Sequence, residues 1–352
     1  MQFRKRWVIA IVAIVLVVAV YLLFNFVRGI SYYNRGITYY AKGQYDQAVS
    51  NYTKTIEINP KHAKAYYNRG LAYAKKGLYD QAISEFTKTI EINPKHAKAY
   101  YNRGLTYAKK GLYDQAISDY DKALEISPGH TKAYLGRGAI YCDVKGEYDL
   151  AILDFTKAIE IKPRFAEAYY NRGVAYKAKG RYDEAVSDYN KALAINPGHA
   201  SAYLNLGAIY CDIKGQYDQA ILFFTKAIEK NPRSAFAYHN RGVAYKAKGQ
   251  YDEAISDYSK AVEIDPGYAN AYRNRGNLYY KKYMYDQAIS DYSKALEINP
   301  GDTAAYNNRG MAYYREGEYD KAWEDVHKAQ SLGFQVRPGF LKDLREASGR
   351  EE

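Results

Sequence analysis

Cysteine is scarce in this chain, two residues in 352. That excludes a disulfide framework and a multi-cysteine zinc site. Nine prolines and 26 glycines make up about a tenth of the sequence, too little for a collagen-like or low-complexity disordered chain. There is no Gly-rich phosphate loop, no helix with paired histidines and no nucleophile elbow, the short patterns that carry phosphate, metal and acyl chemistry. The expectation is a protein with no catalytic centre, no cofactor, no metal and no small-molecule substrate. What the chain has in excess is tyrosine: 42, against 11 phenylalanines and two tryptophans. Tyrosine packs like a large apolar residue but needs a partner for its hydroxyl, so such an excess requires a repeated structural reason.

The N-terminus is a separate physical object. Trp7–Val27 runs without a charge, and only Asn25 is strongly polar. At 1.5 Å per residue a helix of that length spans about 32 Å, enough for the hydrocarbon core of a bilayer. It shows no polar face, unlike a core helix of a soluble protein. Trp7, Tyr21, Phe24 and Phe26 lie toward its ends, as interfacial anchors do. A cleaved signal peptide is the rival reading, but the stretch is too long and no small-x-small site precedes Arg28. We read residues 1–28 as a cytoplasmic tip and an uncleaved single-pass anchor that meets the lipid bilayer through residues 7–27. Arg4, Lys5 and Arg6 favour a cytoplasmic N-terminus and repeats outside the cytoplasm. Arg28, Arg35 and Lys42 on the other flank weaken that bias, so the side stays open.

After Arg28 one pattern recurs. Ala63–His96 and Ala97–His130 are nearly the same sequence, and copies start at residues 29, 63, 97, 131, 166, 200, 235, 269 and 303. A fixed period near 34 means a solenoid of units that pack on their neighbours, in place of the two ordinary domains that length alone suggests. Counting positions 1–34 within a unit, helix A covers roughly positions 2–14. It ends at a glycine in position 15, such as Gly77 or Gly111, where a positive φ is needed. Helix B carries an aspartate in its first turn (Asp80, Asp114), favourable for the dipole. It stops before the proline at position 32 (Pro60, Pro94, Pro128). Small residues at positions 8 and 20 (Gly70, Ala82) face aromatics at 4, 11, 17 and 24 (Tyr66, Tyr73, Tyr79, Phe86). The tyrosine excess is repeated core chemistry.

The spacing Tyr66…Gly70…Tyr73…Gly77-x-Tyr79…Ala82…Phe86…Pro94 resembles the tetratricopeptide repeat family, over residues 29–334. The resemblance implies an all-α, right-handed superhelical solenoid of nine helix-turn-helix repeats whose concave groove binds proteins or peptides. With it go the N-terminal transmembrane helix and a C-terminal capping helix in the tail 335–352, where Phe340, Leu341 and Leu344 alternate with charges. Tyrosine replaces the family's usual tryptophan at position 4 and arginine its leucine at position 7. Repeats four and six hold one extra residue, within Cys142–Gly146 and Cys211–Gly215, and residues 131–199 and 200–268 match at an offset of 69. Repeat eight has Tyr283 at the turn glycine, which should stiffen or reshape that turn.

Position 7 is arginine in eight repeats, and position 23 is acidic in seven of those; repeat six has Leu206 and Phe223 instead. The paired swap predicts partly buried Arg–carboxylate contacts within repeats. Lysine at position 26 recurs in every repeat, usually with Glu at position 29, one helical turn on, so the stripe is compensated and no nucleic-acid partner is expected. His62, His96, His130 and His199 read as solvated loop residues. Cys142 and Cys211 read as free, groove-side apolar residues.

In the family, positions 2, 5, 6, 9 and 12 of helix A commonly face the groove. The resemblance therefore nominates Lys64, Lys98 and Lys132 at position 2, and Tyr67, Tyr101 and Tyr170 at position 5. It adds Asn68, Asn102, Asn171, Asn205, Asn240 and Asn308 at position 6, and Leu71 and Leu105 at position 9. The amides could hold a peptide backbone without reading its sequence, or bond across adjacent A helices. Arg273, Asn277 and Asn308 resemble half of a clamp for a terminal carboxylate. The expected function is a membrane-anchored scaffold or adaptor for protein–protein interactions. The runner-up is a receptor or co-chaperone-like module that binds extended acidic and apolar segments in the groove. A nucleic-acid binder is the remote third.

Overall fold

The computed structural model describes residues 2–350, all of whose regular structure is helical. The side chains of Arg4 and Lys5 and the tail residues 351–352, part of the expectations above, lie outside the described residues. The chain forms two compact bodies, residues 1–181 and 182–352. The first holds α1 (Gln2–Ala41), α2 (Tyr45–Ile58), α3 (Ala63–Lys75), α4 (Tyr79–Ile92), α5 (Ala97–Lys109), α6 (Tyr113–Ile126), α7 (Thr131–Ile140), α8 (Tyr148–Ile161) and α9 (Ala166–Ala178). The second holds α10 (Tyr182–Ile195), α11 (Ala200–Ala208), α12 (Tyr217–Lys230), α13 (Ala235–Ala247), α14 (Tyr251–Ile264), α15 (Ala269–Lys281), α16 (Tyr285–Ile298), α17 (Thr303–Arg315), α18 (Tyr319–Ser331) and α19 (Pro338–Ser348). Within each body, successive helices pack in chain order, A on B and B on the next A.

The A helices of repeats two, three, five, seven, eight and nine occupy positions 1–13, one residue earlier than the sequence suggests. Their C-termini close as Schellman turns: in repeat two Gly77 (φ 76°) donates to Ala74 and Leu78 to Tyr73, which satisfies carbonyls the helix leaves bare. Tyr283 takes the same left-handed conformation, φ 61°, with the same two bonds, Tyr283 donating to Tyr280 and Met284 to Tyr279. The turn is therefore kept and not reshaped; the ring stays 80% exposed, and the backbone carries the strain a glycine would avoid.

The extra residues of repeats four and six become single π turns, Tyr141–Lys145 and Ile209–Ile213, a common way to absorb an insertion in a helix. The closing bond still ends on the position-11 carbonyl, from Glu147 to Tyr141 and from Gln216 to Tyr210, both 2.8 Å. Register is restored by the next helix.

The expected boundary at residue 28 falls inside a helix. No helix breaker stands between Val27 and Ala41, so α1 runs unbroken from the apolar segment through helix A of the first repeat. Gly29 and Gly36 are retained for packing: a Cβ on Gly36 would lie 2.5 Å from the Tyr52 ring.

Position 8 meets the position-24 ring in the same way elsewhere; a Cβ on Gly70 would sit 2.8 Å from Phe86. Ala82, Ala116 and their equivalents are fully buried. Above this core the predicted ion pairs form. Arg103 Nε and Nη2 each reach a carboxylate oxygen of Asp119 at 2.8 Å. Arg69–Glu85, Arg137–Asp154, Arg241–Asp257, Arg275–Asp291 and Arg309–Asp325 do the same at 2.6–2.9 Å. The sequence did not show the third contact. Nη1 crosses to position 25 of the preceding repeat, as from Arg103 to Thr87 and from Arg275 to Ser259, both 2.9 Å. One guanidinium thus joins three helices.

Candidate peptide-binding groove

Position-5 and position-6 side chains meet between successive A helices. Asn68 donates to the Tyr33 hydroxyl at 3.0 Å and Asn102 to that of Tyr67 at 2.9 Å. In the second body Asn274 meets His239 Nε2 at 3.0 Å, and Asn308 donates instead to Oδ1 of the position-9 Asn277 at 2.9 Å. A ladder of amides free to grip a peptide is not what these residues make. Their donors are engaged between neighbouring helices, because an A helix one repeat away lies within reach of a short amide. Asn240 turns to its own helix, donating to Phe236 O at 2.9 Å. Asn205 also has a partner.

The seam breaks at repeat four, where Leu135 and Gly136 replace the tyrosine and asparagine. Tyr101 then has no amide opposite its hydroxyl, and Asn171 has no phenol behind it. Neither makes a side-chain hydrogen bond among the described residues. Packing dictates the glycine: a Cβ on Gly136 would lie 2.9 Å from the ring of Tyr120. Burial pushes the Tyr101 phenol above its usual range, so it stays a neutral donor. Lys98 and Lys132 are exposed at the N-terminal ends of their helices, as is Lys64 in repeat two. Leu71, Leu105 and Tyr170 are half-buried. Around repeat four the A-helix face thus carries a hydroxyl and an amide without side-chain hydrogen bonds, half-buried apolar side chains and two exposed ammonium groups.

In the second body Arg273 is not available as half a carboxylate clamp. Its Nη1 holds both oxygens of Asp302 at 2.8 and 3.0 Å, and Nη2 donates to Asn270 at 3.1 Å. Asp302 in turn caps α17. Asn277 accepts from Tyr292 at 2.8 Å as well as from Asn308.

Two further expectations are corrected. The position-34 histidines are not solvated loop residues. Nδ1 of His62, His96 and His130 accepts the backbone N–H three residues on, at 3.1–3.2 Å, so each caps the next A helix. Their rings stack on the position-5 tyrosine, 4.9 Å between centroids for Tyr67 and His96. Burial lowers the pKa of His96 and of His130, favouring the neutral ring that can accept. Cys142 and Cys211 do not line a groove. They are buried, Cys142 among Ala151, Phe155 and Ala175, because the π turn rolls position 12 inward. Burial pushes the Cys142 thiol up to about 12. The Lys–Glu pairing holds on the B helices, as in Lys88–Glu91 at 2.7 Å and Lys122–Glu125 at 2.6 Å.

Tetratricopeptide repeat profiles match residues 63–96, 97–130, 166–199 and 269–302, and again 188–221, 223–256 and 292–324. A TPR repeat profile matches 36–77, 145–180 and 244–282. Together these span well over half of the chain. It belongs to the tetratricopeptide repeat family.

Among solved structures, this TPR chain is similar to the C-terminal part of a TPR repeat-containing protein from Cytophaga hutchinsonii, at 20% identity over 68% of this chain and 97% of that one, TM-score 0.56. PilW, described as a widely conserved type IV pilus biogenesis factor, matches at 20% identity over 59% and 96%, TM-score 0.53. MamA matches at 32% identity over 49% and 94%, TM-score 0.45. No protein of curated function matches the chain.

Proposed function

We propose that this TPR protein is a membrane-anchored scaffold that holds an extended segment of a partner protein along the A-helix face of its first body, centred on repeat four. TPR repeats are protein-interaction modules, and α1 contains one run long and apolar enough to cross a membrane. The observation that carries the reading is the break in the Tyr–Asn seam. Tyr101 and Asn171 offer a donor and an amide to an extended backbone, Leu135 offers apolar contact, and Lys98 and Lys132 favour acidic side chains. The convex face is the second reading, because Leu153 on α8 is 56% exposed and its equivalent in repeat six, Leu222, 46%, where six other repeats carry serine. Repeats outside the cytoplasm remain the proposed side, on the strength of Arg4, Lys5 and Arg6 before the anchor.

Photo-crosslinking separates the two faces. A benzophenone amino acid is placed at Leu135 or at Leu153 in the full chain, in native membranes. The groove reading expects a discrete adduct from position 135, lost on Asn171→Ala with Lys132→Glu and kept on Asn68→Ala, whose amide only joins helices. Adducts from 153 alone would move the site to the convex face.

A further inference from the structure

α1 is one helix, so its two halves are held in register. α2 runs back antiparallel to it and ends beside the apolar segment. Thr55 Oγ1 donates to Gly29 O at 3.5 Å, and a Cβ on Gly29 would lie 3.3 Å from Ile58. A cleft of about 530 Å³ is shared by Tyr21, Leu22 and Phe26 on one side and Ile58, Asn59 and His62 on the other. Ile58 packs on Gly29 and the His62 ring on Tyr33, so the loop 59–62 stands level with the end of the apolar run at Val27 and the turn that follows it. That is the depth of the headgroup region, which adds several ångströms beyond the hydrocarbon on each side.

The next B-to-A loops keep this edge. His96 sits on Tyr67 as His62 sits on Tyr33, centroids 4.9 Å apart in both, and His130 sits on Tyr101 at 4.7 Å. The edge is basic. Arg28, Lys54, Lys61, Lys64, Lys95 and Lys98 are all exposed along it, and the last four make no ion pair among the described residues. The acids on the same edge are Glu57, Glu91 and Glu125, of which Glu91 is neutralised by Lys88 and Glu125 by Lys122.

We propose that this edge of repeats one to three lies on the bilayer surface and binds the headgroups of anionic phospholipids. The inference rests on α1 being a retained anchor. A helical exit alone lets the solenoid tilt with α1 against the membrane, by up to about 40°. Charge on one edge selects the orientation in which the repeats lie along the membrane, with the opposite, A-to-B edge facing away. Each lysine near an anionic leaflet strengthens the association about fivefold, and salt screens it.

The test uses the full chain in lipid nanodiscs, of phosphatidylcholine alone or with phosphatidylglycerol. A fluorophore is attached at Gly129→Cys in the third loop, or at Gln115→Cys on the opposite edge. Both sites are exposed, and a Cβ on Gly129 meets nothing within 4 Å. The native thiols are buried and do not compete. Quenching by nitroxide-headgroup lipid is read. The proposal expects strong quenching at 129 and little at 115 in anionic discs. It expects the contrast to fall at least about twofold in high salt, and likewise on joint replacement of Lys61, Lys64, Lys95 and Lys98 by Glu, with helicity unchanged. Equal quenching at the two sites overturns it. Quenching at 129 that ignores lipid charge, salt and the replacements also overturns it, leaving proximity without headgroup recognition. A chain that co-elutes with discs in either failure leaves the anchor reading standing. A chain that never enters discs removes both.

Discussion

Arg103 and Asp119 show why an arginine can occupy a position that the family usually fills with leucine. The guanidinium lies 5.6 Å from the Tyr100 ring and satisfies three nitrogens, two on Asp119 and one on Thr87. The carboxylate is buried, so the pair is bought with desolvation. In the equivalent pairs burial lifts the Asp154, Asp291 and Asp325 carboxyls above their usual range, and the arginines only partly offset it. A pair of this kind specifies contacts more than it adds stability. Repeat six already carries the apolar alternative, with Leu206 fully buried and Phe223 stacked 5.3 Å from Tyr210. Asp119→Ala or Arg103→Ala should each cost about 3 kcal/mol, because a buried partner is left uncompensated. Arg103→Leu with Asp119→Phe should cost much less than the sum. Thr87 keeps its bond to Ile83 O at 2.9 Å, so nothing polar is orphaned. Urea unfolding of the four proteins measures this, and additive losses would contradict it.

At the scale of helices, the caps on α3, α5 and α7 couple stability to pH. His96 and His130 accept through Nδ1 only when neutral, and burial holds their pKa below the ordinary histidine value. The stabilisation is present above the unfolded pKa of about 6.5 and is lost as pH falls through the lower folded value. Protonation also sets a positive charge at a helix N-terminus. Repeats seven and nine use Ser234 and Asp302 at the same place. His96→Asp with His130→Asp should keep the caps and flatten the fall in melting temperature between pH 7.5 and 5. Ala at both sites should lower it at every pH, by about 1 kcal/mol per cap. The helices themselves were legible, since Gly77 and Pro94 bracket helix B and Asp80 marks its start. The caps were not, because histidine is outside the usual capping set and its role depends on a tautomer. The arginine pairs could be read from the Leu206–Phe223 swap. The Tyr–Asn seam was visible in principle by the same logic, since Leu135 and Gly136 change together, but which of two neighbours an amide will choose depends on a distance no sequence states. The run through Val27 into helix A could have been read too: nothing between Val27 and Ala41 breaks a helix.

On the scale of the whole molecule, a solenoid must do something with its two ends, and this one treats them differently. At the N-terminal end α1 leaves toward its apolar segment. Arg35 is exposed, with Asn51 in the place of a carboxylate, and Ile30 and Ile37 are 46% and 43% exposed. At the other end α19 stands in for the first helix of a further repeat. Leu344 is fully buried against Val326, Ala329 and Trp323, and Ser348 accepts from the Trp323 indole at 3.0 Å. Arg350 reaches Asp320 at 2.7 Å. That contact repeats the bond between position 14 of one repeat and position 18 of the one before, as in Lys145–Asp114 and Lys248–Asp218. Those ion pairs are exposed and contribute little each, so the cap acts through its apolar face. Repeat nine needs it most, because Val326 replaces the ring that fills position 24 elsewhere. Ending the chain at Gly333 should strip Leu344 and Phe340 from that cluster, at about 1.5–3 kcal/mol for a fully buried side chain. The loss should fall on repeat nine first, since each repeat is held by its neighbours. Hydrogen exchange should then show α17 and α18 opening while α13 and α14 keep their protection. Unchanged protection in α18 after the truncation would mean that repeat nine closes the stack unaided.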